Sequence, residues 1–95
     1  MQDTANEYKK AELNYLSVNN QMKKQAGVEN DYDLERDPKK YESVIKAFSK
    51  PLGDAQAATA SIRDKVREQY FGTYLDDDEI RYANMIISNM LMKYK

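Results

Sequence analysis

Apolar positions recur along this chain at alternating steps of three and four, the period of one helix face. The most apolar stretch is residues 76–95, DDDEIRYANMIISNMLMKYK. There Ile80, Ala83, Ile87, Met90 and Tyr94 form the stripe, and Ile86 and Leu91 widen it. Near the start, Tyr8, Ala11, Tyr15, Val18 and Met22 repeat the pattern, with Leu13 and Leu16 off the seam and available to a second neighbour. Tyr41, Val44, Ile45 and Phe48 make a shorter face, and Ala55, Ala58, Ile62, Val66 and Tyr70 a further one.

The punctuation between these stripes predicts helices. Thr4 and Glu7 have capping-box spacing, with Asp3 or Thr4 as N-cap, and Gly27 is a natural stop after Lys23 and Lys24. The stretch VENDYDLERD, residues 28–37, reads as an acidic loop. Asp37-Pro38 then reads as N-cap and first helical residue. Pro51 and Gly53 are expected to end that helix, and Gly72 the next. Asp76 is the expected N-cap of the last helix, with Glu79 closing a capping box. Glu42–Lys46 and Asp77–Arg81 have the spacing of helical ion pairs. The expected fold is all-α: one domain, residues 1–95, built as a small antiparallel bundle of three to four helices over about 4–26, 38–49, 54–71 and 76–94. The first and last helices are expected to pair in coiled-coil fashion along their full extent, with the middle two packed across them. Small side chains in DAQAATAS, residues 54–61, predict a close helix crossing.

Composition narrows the function classes. The chain has no Cys and no His, so it lacks disulfides, a thiol nucleophile, the commonest metal ligand and the usual general base near neutral pH. Both absences argue against an enzyme, and no cofactor is expected. With 15 basic and 16 acidic residues, the net charge of −1 favours neither nucleic acid nor an anionic membrane. No apolar run reaches the length of a membrane span. Residues 1–6 are polar and lack the tripartite pattern of a signal peptide, so the cytoplasm is the expected compartment, with export without a cleaved signal as the alternative.

Five features of the chain bear on its chemistry. Asp31, Asp33, Glu35 and Glu42 match positions 1, 3, 5 and 12 of a calcium-binding EF-hand loop. Arg36 stands where that loop needs Gly, and Pro38 and Lys39 break the following positions, so a solvated acidic loop is the simpler account. A metal-responsive protein binding Ca²⁺ is the alternative. The acidic run at 76–79 is explained by helix capping and the helix dipole. The lysine pairs at 9–10, 23–24 and 39–40, and the group Arg63, Lys65 and Arg67, are interleaved with acids, which disfavours a nucleic-acid-binding role. Of eight tyrosines, Tyr8, Tyr15, Tyr41, Tyr70 and Tyr94 lie on the stripes, leaving Tyr32, Tyr74 and Tyr82 as interface candidates. In the last helix Arg81, Asn84, Ser88 and Lys95 make a narrow polar stripe flanked by Met85 and Met92, nearly opposite the main seam. A terminal helix with two apolar faces implies either a central helix covered by three neighbours or a second burial surface.

Tyr70-Phe71-Gly72 resembles a degenerate form of the W-x-G turn of small helical secreted proteins, and Tyr74 and Asp78 fit the Y-x-x-x-D/E spacing associated with their export. The likeness is confined to that segment, and Trp is absent. It implies a substrate or component of a secretion system. The reading the residues favour is a small non-enzymatic protein-interaction module. It would be an adaptor, inhibitor, chaperone or assembly component, of a kind encoded by phages and mobile elements. It is expected to bind a protein partner or its own copy through Tyr74, Tyr82, Met85, Asn89 and Met92.

Overall fold

The computed structural model describes residues 2–94. These form four helices and no strand: α1 (Gln2–Ala26), α2 (Asp31–Arg36), α3 (Glu42–Phe71) and α4 (Asp77–Lys93). The small all-α bundle expected from the hydrophobic pattern is the fold, but two of its helices differ from expectation.

The first difference is α3. The sequence pattern predicts two helices at 38–49 and 54–71, broken by Pro51 and Gly53. Instead one 30-residue helix runs through both residues. Proline removes a single donor, the one that would bond the Ala47 carbonyl, and its ring crowds that carbonyl. Pro51 and Ala47 are both exposed, so water can satisfy the freed oxygen. Residues on either side of the proline keep their register against α1: Leu52 is half-buried, Ala55 and Thr59 are buried, and so is Val66 further on. Burial along the whole length outweighs a local break. The helix also begins later than expected. Asp37 is the C-cap of α2 rather than an N-cap, residues 38–41 form turns, and Glu42 is the first residue of α3.

The second difference is α2. Residues 28–37 are not a loop throughout, because Asn30 caps a helical turn and a half with its side chain, which accepts from the Asp33 N–H at 3.0 Å. Leu34 is buried beneath it. Buried Asn19 on α1 donates to the Asp31 carboxylate at 3.0 and 3.4 Å, which ties α2 to α1.

Helix ends otherwise follow local chemistry. Gly27 takes φ +74°, Gly27 N–H donates to the Lys24 carbonyl at 3.2 Å, and Val28 N–H donates to the Lys23 carbonyl at 3.0 Å. That pair of bonds is a Schellman stop. At the other terminus of α1 the expected cap at Asp3 or Thr4 is not found, since both lie inside the helix. The Asp76 capping box is as expected: Glu79 N–H donates to Asp76 Oδ1 at 2.8 Å and Asp76 N–H donates to Glu79 Oε1 at 3.3 Å. In the first turn Arg81 pairs with Asp78 at 3.1 Å, not with Asp77.

Packing follows helix length. α1 and α3 are the two long helices, and they make the most extensive contact in the molecule. They run antiparallel, since Tyr15 and Met22 share a cleft with Ile45 and Leu52, while Tyr8 and Glu12 share one with Thr59 and Arg63. The expected full-length partner of α1 was the last helix. At 17 residues, about 25 Å at the usual rise, α4 is too short for that role. It lies over the first half of α1 and the second half of α3. There Ile87 and Leu91 are buried with Ala5, Tyr8 and Val66, and Ile62 and Tyr94 pack against the group. Along α3 the stripe also shifts by a residue, because Thr59 is buried where Ala58 was expected. The Thr59 hydroxyl is satisfied by the Gln56 carbonyl at 2.8 Å.

Two outcomes test these local arguments. Gly53 has no positive φ, and nothing stands within 4 Å of an added Cβ. Gly53→Ala is expected to stabilise the protein by about 0.5–1 kcal/mol, and Pro51→Ala by up to about 3 kcal/mol, read from urea midpoints at unchanged slope. A loss of stability in both would mean that α3 is broken in solution. The Glu79 N–H holds the Asp76 carboxyl below the ordinary aspartate pKa. A depressed carboxylate stabilises the fold above its unfolded value of about 3.9, and that contribution disappears as pH falls through the lower folded value. Asp76→Ala is therefore expected to lower the thermal midpoint at pH 7, and the gap from wild type should close as pH falls below about 4.

Candidate functional site

α4 reaches the core through one face only. Ala83, Ile87 and Leu91 are buried, and Ile80 is half-buried on the same side. Beside them lie Asn84 and Ser88, two members of the stripe that the sequence marked as polar. They do not face water. Arg67 Nη1 on α3 donates to Asn84 Oδ1 at 2.8 Å and to Asp64 Oδ1 at the same distance. The buried Tyr8 hydroxyl donates to the Ser88 hydroxyl at 3.1 Å. Lys9 Nζ donates to the Tyr94 carbonyl at the end of α4. Asn84 and Ser88 are thus a hydrogen-bonded seam to α3 and α1, and Arg67 is absorbed by it rather than joining a basic surface; of the other two members of the stripe, Arg81 is exposed and Lys95 lies outside the described residues.

This placement turns the apolar remainder outward. Tyr82 is 65% exposed and Met85 58%, and Ile86, Asn89, Met90 and Met92 are exposed with them. At 100° per residue these six cover one continuous sector of the helix, away from Ala83, Ile87 and Leu91. Met90 was expected in the core seam. It lies at the edge of the outer sector because Leu91 takes the buried position. No neighbouring helix covers the Met85–Met92 flank among the described residues, so α4 is not a central helix covered by three neighbours.

The patch extends past the N-terminus of α4. Phe71 and Leu75 join Tyr82 and Ala83 around a cleft of about 370 Å³, with Asp78 and Glu79 at its rim. The sequence marks Phe71 only as the middle of the Tyr70-Phe71-Gly72 turn and not as part of an interface. Its place at the last position of a helix, directly before Gly72 in a left-handed conformation, is the signal that it turns away from the α1–α3 contact. Tyr74, at 99% exposure, stands in the linker beside this cleft. Tyr70, expected on the core stripe, is exposed instead. So are Leu13 and Leu16 on α1, which find no second neighbour among the described residues.

The acidic residues weighed for calcium do not converge. Asp31 is engaged by Asn19, Asp33 lies in the first turn of α2 with its own N–H on Asn30, and Glu42 opens α3 beyond the turns. Among the described residues no group of three or more acidic side chains is placed to hold a metal ion. None of the described helices is long and apolar enough to cross a membrane.

Two larger clefts lie between α1 and α3, each of about 500 Å³. One is apolar, floored by Met22, Leu34, Ile45 and Leu52. The other holds Glu12, Arg63 and the side chains of Tyr8, Thr59 and Ser88. Arg63 Nε is buried there without a hydrogen-bond partner. With one cation and one carboxylate on its wall, this cleft has no net charge with which to select an ion.

No family model, no curated protein and no solved structure matches this chain.

The division of α4 into two faces has a measurable consequence. Ile87→Ala removes a side chain at 1% exposure and is expected to cost about 2–5 kcal/mol of stability. Met85→Gln and Met92→Gln are expected to stay within about 0.5 kcal/mol of wild type in the same denaturant titration. A loss above 2 kcal/mol in either Met variant would place that flank in the core.

Proposed function

We propose that this chain is a small non-enzymatic protein-interaction module that binds a protein through the outer face of α4. The observation that carries the reading is the cluster of exposed apolar side chains Tyr82, Met85, Ile86, Met90 and Met92, gathered with Asn89 and Lys93 on the side of α4 turned away from α1 and α3. Contiguous apolar surface on a small domain mostly marks a binding site, since leaving it in water forgoes about 25 cal/mol for each Å². Methionines and tyrosines suit such a site. The thioether chain adapts to the shape of a partner, and the phenol ring buries area while keeping a polar end at the rim. The rigid support beneath this face, through Ile87, Leu91 and the Tyr8–Ser88 bond, means that the helix need not be ordered at the moment of binding. An adaptor, an inhibitor, a chaperone and an assembly component all act through such a face. Their shared property is that the activity resides in the partner.

Site-directed photo-cross-linking checks the assignment. A photoreactive side chain is placed at Met85, and a control is placed at Lys46 on the exposed side of α3. In an extract of cells that express the protein, the probe at Met85 is expected to form a discrete adduct with a polypeptide, either this chain or another. The probe at Lys46 is expected to form none. Absence of any adduct at Met85, or equal labelling from both positions, would overturn the reading.

A further inference from the structure

We infer that the partner of the α4 face is a second copy of this chain, bound antiparallel across a two-fold axis, with Met92 of each copy seated in the Phe71–Leu75–Tyr82 cleft of the other. This inference rests on the reading of α4 as an interaction face and adds the identity of the partner.

Three observations carry it. The first is the period of the outer face. Tyr82, Met85, Asn89 and Met92 follow one another at steps of three, four and three, and all four are exposed. That is the spacing of a second helix seam, distinct from the core seam of Ala83, Ile87 and Leu91, and a seam of this kind fits another helix.

The second is charge. Asp77, Asp78 and Glu79 occupy the first turn of α4 and Lys93 the last. Two α4 helices side by side in parallel would set like charges abreast at both ends. Antiparallel copies bring Lys93 of each to the acidic turn of the other, which favours one orientation over its reverse.

The third is the fit of the cleft. It has an apolar floor of Phe71, Leu75 and Ala83, and an acidic rim of Asp78 and Glu79. Its complement is an apolar knob followed at once by a cation, and Met92-Lys93 is that dipeptide. One antiparallel register places Tyr82 opposite Met92 and Met85 opposite Asn89, which brings Met92 to the cleft that Tyr82 lines and Lys93 to within one helical turn of Asp78 on its rim. The arrangement is isologous and closes at two copies. A single short helix with its flanking cleft is a small contact, of the size of weak and transient interfaces, so a dimer that dissociates on dilution is expected.

Sedimentation equilibrium of the purified full chain should show a monomer–dimer equilibrium. Met92→Glu should remain monomeric at every concentration, with an unchanged circular dichroism melt to show that it is folded. Because the chain has no cysteine, orientation can be read by oxidation. A mixture of Tyr82→Cys and Met92→Cys proteins should form the mixed covalent dimer at least tenfold faster than either protein forms its own. Charge exchange gives an independent arm: Asp78→Lys and Lys93→Asp should each weaken the dimer, and the double variant should recover it. A wild-type chain that is monomeric throughout overturns the inference, as does faster cross-linking of Tyr82→Cys with itself. Failure here stays distinguishable from failure of the α4 reading, because the photo-adduct at Met85 reports any partner.

Discussion

The junction of Ala5, Tyr8, Val66, Ile87 and Leu91 is the contact on which the rest of the structure depends. It is where α1, α3 and α4 meet. Elsewhere the molecule is a two-helix layer, with α2 pinned to one side by the Asn19–Asp31 bond. A two-helix layer buries little, so the third helix must contribute disproportionately through few residues. It does so with two large side chains that are almost fully buried and with polar groups that are paired, not solvated. Tyr8 serves both purposes, because its ring fills the junction and its hydroxyl reaches Ser88. Losing that bond would leave a buried donor without a partner, which costs more than the bond itself contributes.

From this junction the exposure of α4 follows. A helix resting on a flat pair of helices can bury only part of its circumference. Asn84 and Ser88 find partners on α3 and α1, so they take one flank of the buried sector. Met85 and Met92, on the flank beyond them, are left outside it. The outer face is therefore a consequence of which polar groups could be satisfied inside.

α3 illustrates the same competition between local and distant terms. Proline and glycine on either side of Leu52 would end an isolated helix. Here Leu52, Ala55 and Thr59 follow immediately and face α1, so stopping the helix would forfeit that burial. The exposed side of the helix takes the cost, where water can reach the Ala47 carbonyl. Between α1 and α2 the order is reversed, because Gly27 ends α1 through a Schellman stop that needs no tertiary support.

By itself the sequence determined what short-range chemistry can determine: the all-α class, the end of α1 at Gly27, the end of α3 at Gly72, the capping box of Asp76 and Glu79, and the presence of more apolar surface in the last helix than one stripe requires. Each depends on residues within one or two turns of one another. Tertiary structure alone decided the continuity of α3 across Pro51, the pairing of α1 with α3, the helical turn at Asp31–Arg36, and the direction in which α4 faces. The last of these carries the candidate site. Tyr82, Met85, Asn89 and Met92 are legible as a second face and Asn84 and Ser88 as a polar stripe, but a polar side chain does not announce the partner that will satisfy it. Arg67 and Tyr8 are those partners, and they lie 17 and 80 residues away in the chain.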